Sequence, residues 1–153
     1  MHTIRTATLD DVPYLAANLR QADQDEMRAV GWYNAVDALS ASLDVSIERW
    51  CALDSAGNPA VLFGVAPSEY PTVGLPWMLA TDYIYTIPKE TLRQTRRYVQ
   101  RMHEHFPILT QFVDFRNVTS VSWMQWLGFE INTVLLRYGV EKRPFIHFIR
   151  RDK

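Results

Sequence analysis

The sequence predicts an α/β domain, a sheet flanked by helices, and three observations carry that expectation. Segments of alternating or continuous apolar character, read as strands, are interleaved with segments of helical apolar spacing. Their order is strand, two helices, three strands, helix, strand, helix and two strands over 153 residues, a length suited to one core. No internal repeat, low-complexity run or long linker interrupts it, so residues 1–153 are expected to form a single domain.

The elements follow in order. "HTIRTAT" alternates Ile4 and Ala7 with polar residues and reads as a strand; "LDDVPYLAANLRQADQDEM" then turns to helical spacing with Val12, Leu15, Ala16 and Leu19 inward. Asp10 or Asp11 is a suitable N-cap and Pro13 is tolerated in the first turn. Gly31 stops that helix, and "NAVDALSASLDVS" forms a second with Val36, Leu39 and Leu43 inward. "IERWCALD" and "PAVLFGVAP" flank the turn residues "SAGN", a hairpin signal. "LPWMLATDYIY" is the next strand, and "PKETLRQTRRYVQRMHEHF" is a long helix bounded by Pro88 and Pro107. "ILTQFVDF" is a strand, "NVTSVSWMQWL" a helix, and "GFEINTVLLRYG" and "RPFIHFIR" are closing strands. Asn117 caps the last helix, and Gly128 with Phe129 ends it in a Schellman turn that packs Phe129 on Met124.

Composition narrows the function classes. Cys51 is the only cysteine, which excludes an intramolecular disulfide and a cysteine-rich zinc site; its apolar setting, "ERWCALD", suits a buried thiol. His103 and His105 are two apart, diverge on a helix and make no metal pair, and His2 and His147 add no motif. The acidic start "MHTIRTATLDD" does not resemble a signal peptide, and no apolar run reaches the roughly 20 residues of a membrane helix. A soluble, cytoplasmic protein without a membrane partner is therefore expected. The net charge of −1 argues against nucleic acid as a partner. Charge is divided along the chain, however, −5 over residues 1–60 and +4 over residues 61–153.

The spacing of Asn117, Ser120, Trp123, Met124, Gly128 and Phe129 resembles the C-terminal signature of the GNAT acyltransferases: an Asn, a small residue, a Leu-Tyr pair and Gly-Phe at the same intervals. The element order is similar to theirs over essentially the whole chain. More narrowly, "FGVA", "PWMLATD", "VDFRN" and "WMQWLGF" together look like a group of GNAT-like proteins of tailed bacteriophages, related to a small internal virion protein of podophages. The resemblance implies a mixed, mostly antiparallel sheet with one splayed parallel strand pair, and acetyl-CoA bound in the splay. It also implies transfer of the acetyl group to an amine on a small molecule or protein. The alternative implied by the phage group is a non-catalytic virion or host-interaction component with a phage or host protein partner.

Carried over residue by residue, the resemblance assigns backbone contacts with the cofactor to Leu79, Ala80 and Thr81, and a pyrophosphate site to residues 86–90. An anion is favoured at a helix start by unpaired N–H groups and the helix dipole. Two departures stand out. "YTIPKETLR" has none of the family's loop glycines, so Lys89 and Arg93 would have to supply charge, and Met124 stands where a proton-donating Tyr is common. Ser120, Ser122 and Tyr83 are substitute acids by neighbourhood. Asp82, then Asp114 and Glu26, are the carboxylates placed to act as a base, and Asn117 is assigned to the cofactor side. Asp82 alternatively faces solvent, and Asp114 alternatively braces the helix at Asn117. Arg20, Asp23 and Glu26 share a helix face that reads either as an amine-facing acidic cluster or as a solvated, salt-bridged surface. Lys89, Arg93, Arg97 and Arg101, with Arg96 beside them, make a basic stripe for a phosphate, a polyanion or plain solvent.

Overall fold

The computed structural model describes residues 4–152, so His2 lies outside the described residues. Seven strands are present: β1 (Ile4–Thr6), β2 (Glu48–Leu53), β3 (Pro59–Pro67), β4 (Val73–Ala80), β5 (Ile108–Asp114), β6 (Glu130–Tyr138) and β7 (Arg143–Arg151). They form one sheet in the order β1-β2-β3-β4-β5-β7-β6. Every described pairing is antiparallel except β4 with β5. The helices are α1 (Val12–Ala17), α2 (Gln21–Ala29), α3 (Ala35–Val45), α4 (Lys89–His105) and α5 (Val118–Trp126). No helix among the described residues is long and apolar enough to cross a membrane.

The sheet separates two apolar layers. On one face Leu15, Leu39, Leu43 and Leu62 pack α1 and α3 against the strands. On the other, Val99 and Met102 of α4 join Phe63, Leu109 and Phe148 of the sheet, with Trp123 and Met124 of α5 packed alongside. Cys51 is fully buried, and burial pushes its thiol up to about 12, as suits an inert core position.

The first predicted helix is two helices. Asn18 ends α1, its Nδ2–H donating to Tyr14 O (2.9 Å), and Arg20 is extended with φ −64° and ψ 151°. The break is tertiary in origin: Leu19 bridges Thr81, and Arg20 N–H donates to Ala80 O (2.9 Å), so the chain between α1 and α2 docks on the end of β4. Two smaller differences accompany it. Val36 is exposed while Ala38 takes the inward position, and residues 82–86 form a 3₁₀ turn, with Thr81 Oγ1 accepting from Tyr83 N–H (3.3 Å).

The α5 helix follows its sequence signals. Asn117 Oδ1 accepts from Ser120 N–H (3.4 Å), Gly128 has φ +90°, and the Phe129 and Gly128 N–H groups donate to Met124 O and Gln125 O, both at 3.0 Å. That pair of bonds is the Schellman pattern.

β4 and β5 touch only at their base, where Val73 pairs with Ile108 and Gly74 with Leu109. Beyond it the strands diverge, and Gln111 closes the vertex: its Nε2–H donates to Pro76 O and its Oε1 accepts from Phe112 N–H (2.8 Å). Gly74 is required there because a Cβ would overlap the Phe106 ring. Gly74→Ala is expected to cost about 1–3 kcal/mol through overpacking, read as a lower urea midpoint.

Candidate active site

The divergence of β4 and β5 opens a cavity of about 350 Å³ that runs through the sheet. Strand alternation decides which backbone groups face it. Thr81 N–H donates to Ala60 O (2.8 Å) on β3, so Thr81, Leu79 and Trp77 bond toward β3, while Ala80, Met78 and Pro76 face the gap. Ala80 is already engaged, its N–H donating to Asp23 Oδ2 (2.8 Å) and its carbonyl accepting from Arg20 N–H (2.9 Å). Pro76 has no N–H, and its carbonyl accepts from Gln111. Met78 is therefore the residue whose N–H and C=O are left to the opening. The backbone contacts assigned to Leu79, Ala80 and Thr81 are corrected accordingly: those groups serve the β3 ladder and the α1–α2 connection.

Behind the end of β4 lies a buried polar cluster. Arg20, 1% exposed, makes a two-pronged ion pair with Asp23, Nε–H to Oδ2 at 2.9 Å and Nη2–H to Oδ1 at 2.8 Å, and also donates to Ser120 Oγ (2.7 Å). Tyr85 lies over its guanidinium, 5.8 Å from ring centroid to Cζ. The acidic face of α2 is therefore no solvated surface at Arg20 and Asp23; it locks the α1–α2 connection, β4 and α5 together.

One turn farther along α2, Glu26 lines the cavity. Its Oε1 accepts from Asp114 N–H (2.8 Å) and Asn117 Nδ2–H (3.3 Å). Both bonds fall on Oε1, and no described residue bonds Oε2. Burial raises this carboxyl to about 7; repulsion from Asp23 and Asp114 works with burial, while the Asp114 N–H and Asn117 bonds work against it. A carboxylate with one oxygen anchored, the other open and a pKa near neutrality has the properties of a general base.

The other assigned residues fall in different places. Asp82 is exposed in the turn beyond β4 and does not line the cavity. Asp114 is buried and committed to Arg116, which donates from Nη2 to Oδ2 at 2.7 Å, so it braces the β5–α5 junction. Asn117, 2% exposed, contacts no cavity space: besides capping α5 it holds Glu26 and reaches Asp23 Oδ1 (3.4 Å). Lys89 and Arg93 are exposed on the first turns of α4, with Pro88 as N-cap. The basic stripe divides farther along, where Arg101 pairs with Glu48 (2.7 Å) and Arg96 stacks on Trp126 at 3.8 Å.

Of the substitute acids, Ser122 is exposed, Tyr83 packs on the main core, and Ser120 lines the cavity with its Oγ held by Arg20. Met124 lines the cavity and packs on the core. Beside it, the Trp123 indole N–H is buried in the cavity wall without a partner among the described residues. An unmatched buried donor is costly unless something supplies an acceptor.

A seven-stranded mixed sheet whose parallel pair is splayed over a through-cavity is a distinctive architecture, and comparison with solved structures identifies the fold. The chain has the GNAT fold. It superposes with a TM-score of 0.70 on a putative acetyltransferase from Salmonella typhimurium solved with acetyl-CoA, at 12% identity and covering 99% of this chain and 94% of that one. A GNAT-superfamily phosphinothricin acetyltransferase from Sinorhizobium meliloti in complex with acetyl-CoA gives 0.69, at 11% identity and covering 97% and 87%. A spermidine N-acetyltransferase chimera from Vibrio cholerae and hSSAT gives 0.70, at 14% identity and covering 97% and 94%. No protein-family model matches the sequence, and no curated protein matches it.

Proposed function

We propose that the chain is an N-acetyltransferase that takes acetyl-CoA into the opening between β4 and β5 and passes the acetyl group directly to an amine, with Glu26 as base. The observation that carries this reading is that one cavity joins the open backbone of Met78 to the open oxygen of Glu26. The residues present fit the cofactor: Met78 offers strand N–H and C=O groups, Trp123 an unmatched buried donor, and Lys89 and Arg93 flank the start of a 17-residue helix whose dipole favours phosphate. Acetyl-CoA, when bound, supplies an activated acetyl thioester.

The chain's own contribution is then specific. Glu26 Oε2 receives a proton from the incoming ammonium, directly or through water, which leaves the amine lone pair free to attack. Met78 N–H is the donor available to a carbonyl oxygen at the strand opening, where withdrawal from water strengthens it. Arg20 and Asp23 fix the end of β4 against α2, so Met78 and Glu26 are held by one rigid unit.

Met124 donates no proton, and a thiolate is a good enough leaving group that no protein acid need serve it. The second reading, a non-catalytic virion or host-interaction component, draws on that methionine and on the missing loop glycines; the open cavity and the unbonded Glu26 oxygen oppose it. Release of CoA thiol, followed across pH with a panel of amines, tests the proposal, and absence of transfer with every amine would contradict it.

A further inference from the structure

The half of the cavity on the Glu26 side is an aromatic box. Phe112 and Tyr138 stack with centroids 4.6 Å apart and planes 14° from parallel, and Phe145 closes on Tyr138 at 4.9 Å. Trp77, Trp32 and Met27 add apolar lining to the same cavity. The Trp77 indole N–H is bonded to Ser46 Oγ (2.6 Å), so the ring contributes apolar surface rather than a donor. Val30, which lines the cavity, is partly exposed and extends the same chemistry outward.

Charge in this space is sparse and of one sign. Among the described residues that line the cavity there is no Lys, Arg or His. The two carboxylates that line it are Asp23 and Glu26, and Asp23 is saturated by Arg20, Ala80 N–H and Asn117. One carboxylate oxygen therefore remains for the acceptor, and it is the one needed at the amine.

We infer that the acceptor is a primary monoamine carried on an aromatic or bulky apolar body, with neither a carboxylate nor a second ammonium group; this rests on the acetyl-transfer reading of the site. The exclusions follow from what the box lacks. An amino acid would bury its carboxylate with no cation opposite it, and a di- or polyamine would place its distal ammonium among aromatic side chains with no second anion, each a costly unpaired charge. The apolar body gains from burial against the rings and from their faces.

The experiment compares 2-phenylethylamine, phenylalanine, putrescine and spermidine in two arms: transfer from acetyl-CoA, and calorimetric binding to protein saturated with CoA. The expected result is kcat/KM for 2-phenylethylamine above each of the others by about 100-fold or more, the lower end of what one uncompensated buried charge costs. Binding should follow the same order. Val30→Asp, an exposed rim substitution that adds the missing anion, should raise putrescine relative to 2-phenylethylamine by about tenfold.

Equal or better use of phenylalanine, putrescine or spermidine would overturn the inference and leave the acetyl-transfer reading standing. Selective binding of 2-phenylethylamine without transfer would uphold the inference about the pocket and remove the acetyl-transfer reading. Absence of both binding and transfer of 2-phenylethylamine would overturn the inference outright.

Discussion

Glu26→Gln is expected to lower kcat for acetyl transfer by about 10²–10⁴-fold while leaving acetyl-CoA affinity within about twofold. The amide keeps the shape of the side chain and, with its oxygen in the Oε1 position, keeps the Asp114 N–H and Asn117 bonds, so the loss falls on proton acceptance. In the unsubstituted protein kcat/KM should rise with pH and level off above about 7, the value to which burial brings Glu26. That rise should vanish in the variant. Asp82→Asn is the control: an exposed residue off the cavity should leave the profile in place.

The same carboxyl gives a stability prediction of definite sign. A folded-state pKa raised above the unfolded value means that the folded form binds a proton more tightly than the unfolded chain does. The stability this contributes is fully present below the unfolded carboxyl pKa and is lost as pH rises through about 7. Glu26→Gln removes that slope, so the variant should gain on the native protein at mildly alkaline pH, by up to about 3 kcal/mol at 1.36 kcal/mol per pKa unit. A base that costs stability at the pH where it works is the expected trade at a functional site.

Arg20→Met is expected to destabilise the fold by about 3–5 kcal/mol, measured by urea unfolding, because it leaves Asp23 as an uncompensated buried charge. The guanidinium also holds Ser120 on α5, so helix and strand lose their common anchor together. The double variant Arg20→Met/Asp23→Leu should recover only part of the loss. A wholly structural ion pair can be replaced by apolar side chains at little cost, but Asp23 additionally accepts the Ala80 N–H, which would remain buried without a partner. If the double variant were as stable as the native protein, the assignment of Asp23 as the clamp on β4 would be wrong.

Much of the fold is legible in the sequence because its signals are local. Asn117, Gly128 and Phe129 specify the limits of α5 within a dozen residues, and the structure bears out each bond. What was not legible depends on partners distant in the chain. The break at Asn18–Arg20 exists because Leu19 and Arg20 pair with Thr81 and Ala80, and helical periodicity carries no trace of that pairing. Arg20 and Asp23 at i,i+3 spacing look alike whether solvated or buried; their burial is set by Ser120, a hundred positions away.

The same reasoning accounts for the candidate site. Which backbone groups of β4 face the gap is a matter of register with β3, and a one-residue change of parity moves the role from Leu79 or Thr81 to Met78. Asp82 is favoured over Glu26 by a reading in which the strand "LPWMLATDYIY" runs on through it, yet the strand ends at Ala80 and the turn carries Asp82 outward. Phe112, Tyr138 and Phe145 lie on three different strands, and only the β5-β7-β6 order gathers them into a wall.

If the splay between β4 and β5 is a cofactor site, calorimetric titration with acetyl-CoA should show saturable binding in the micromolar range, weakened about tenfold by Lys89→Ala/Arg93→Ala at the start of α4. No heat at millimolar acetyl-CoA, with no shift in melting temperature, would contradict it.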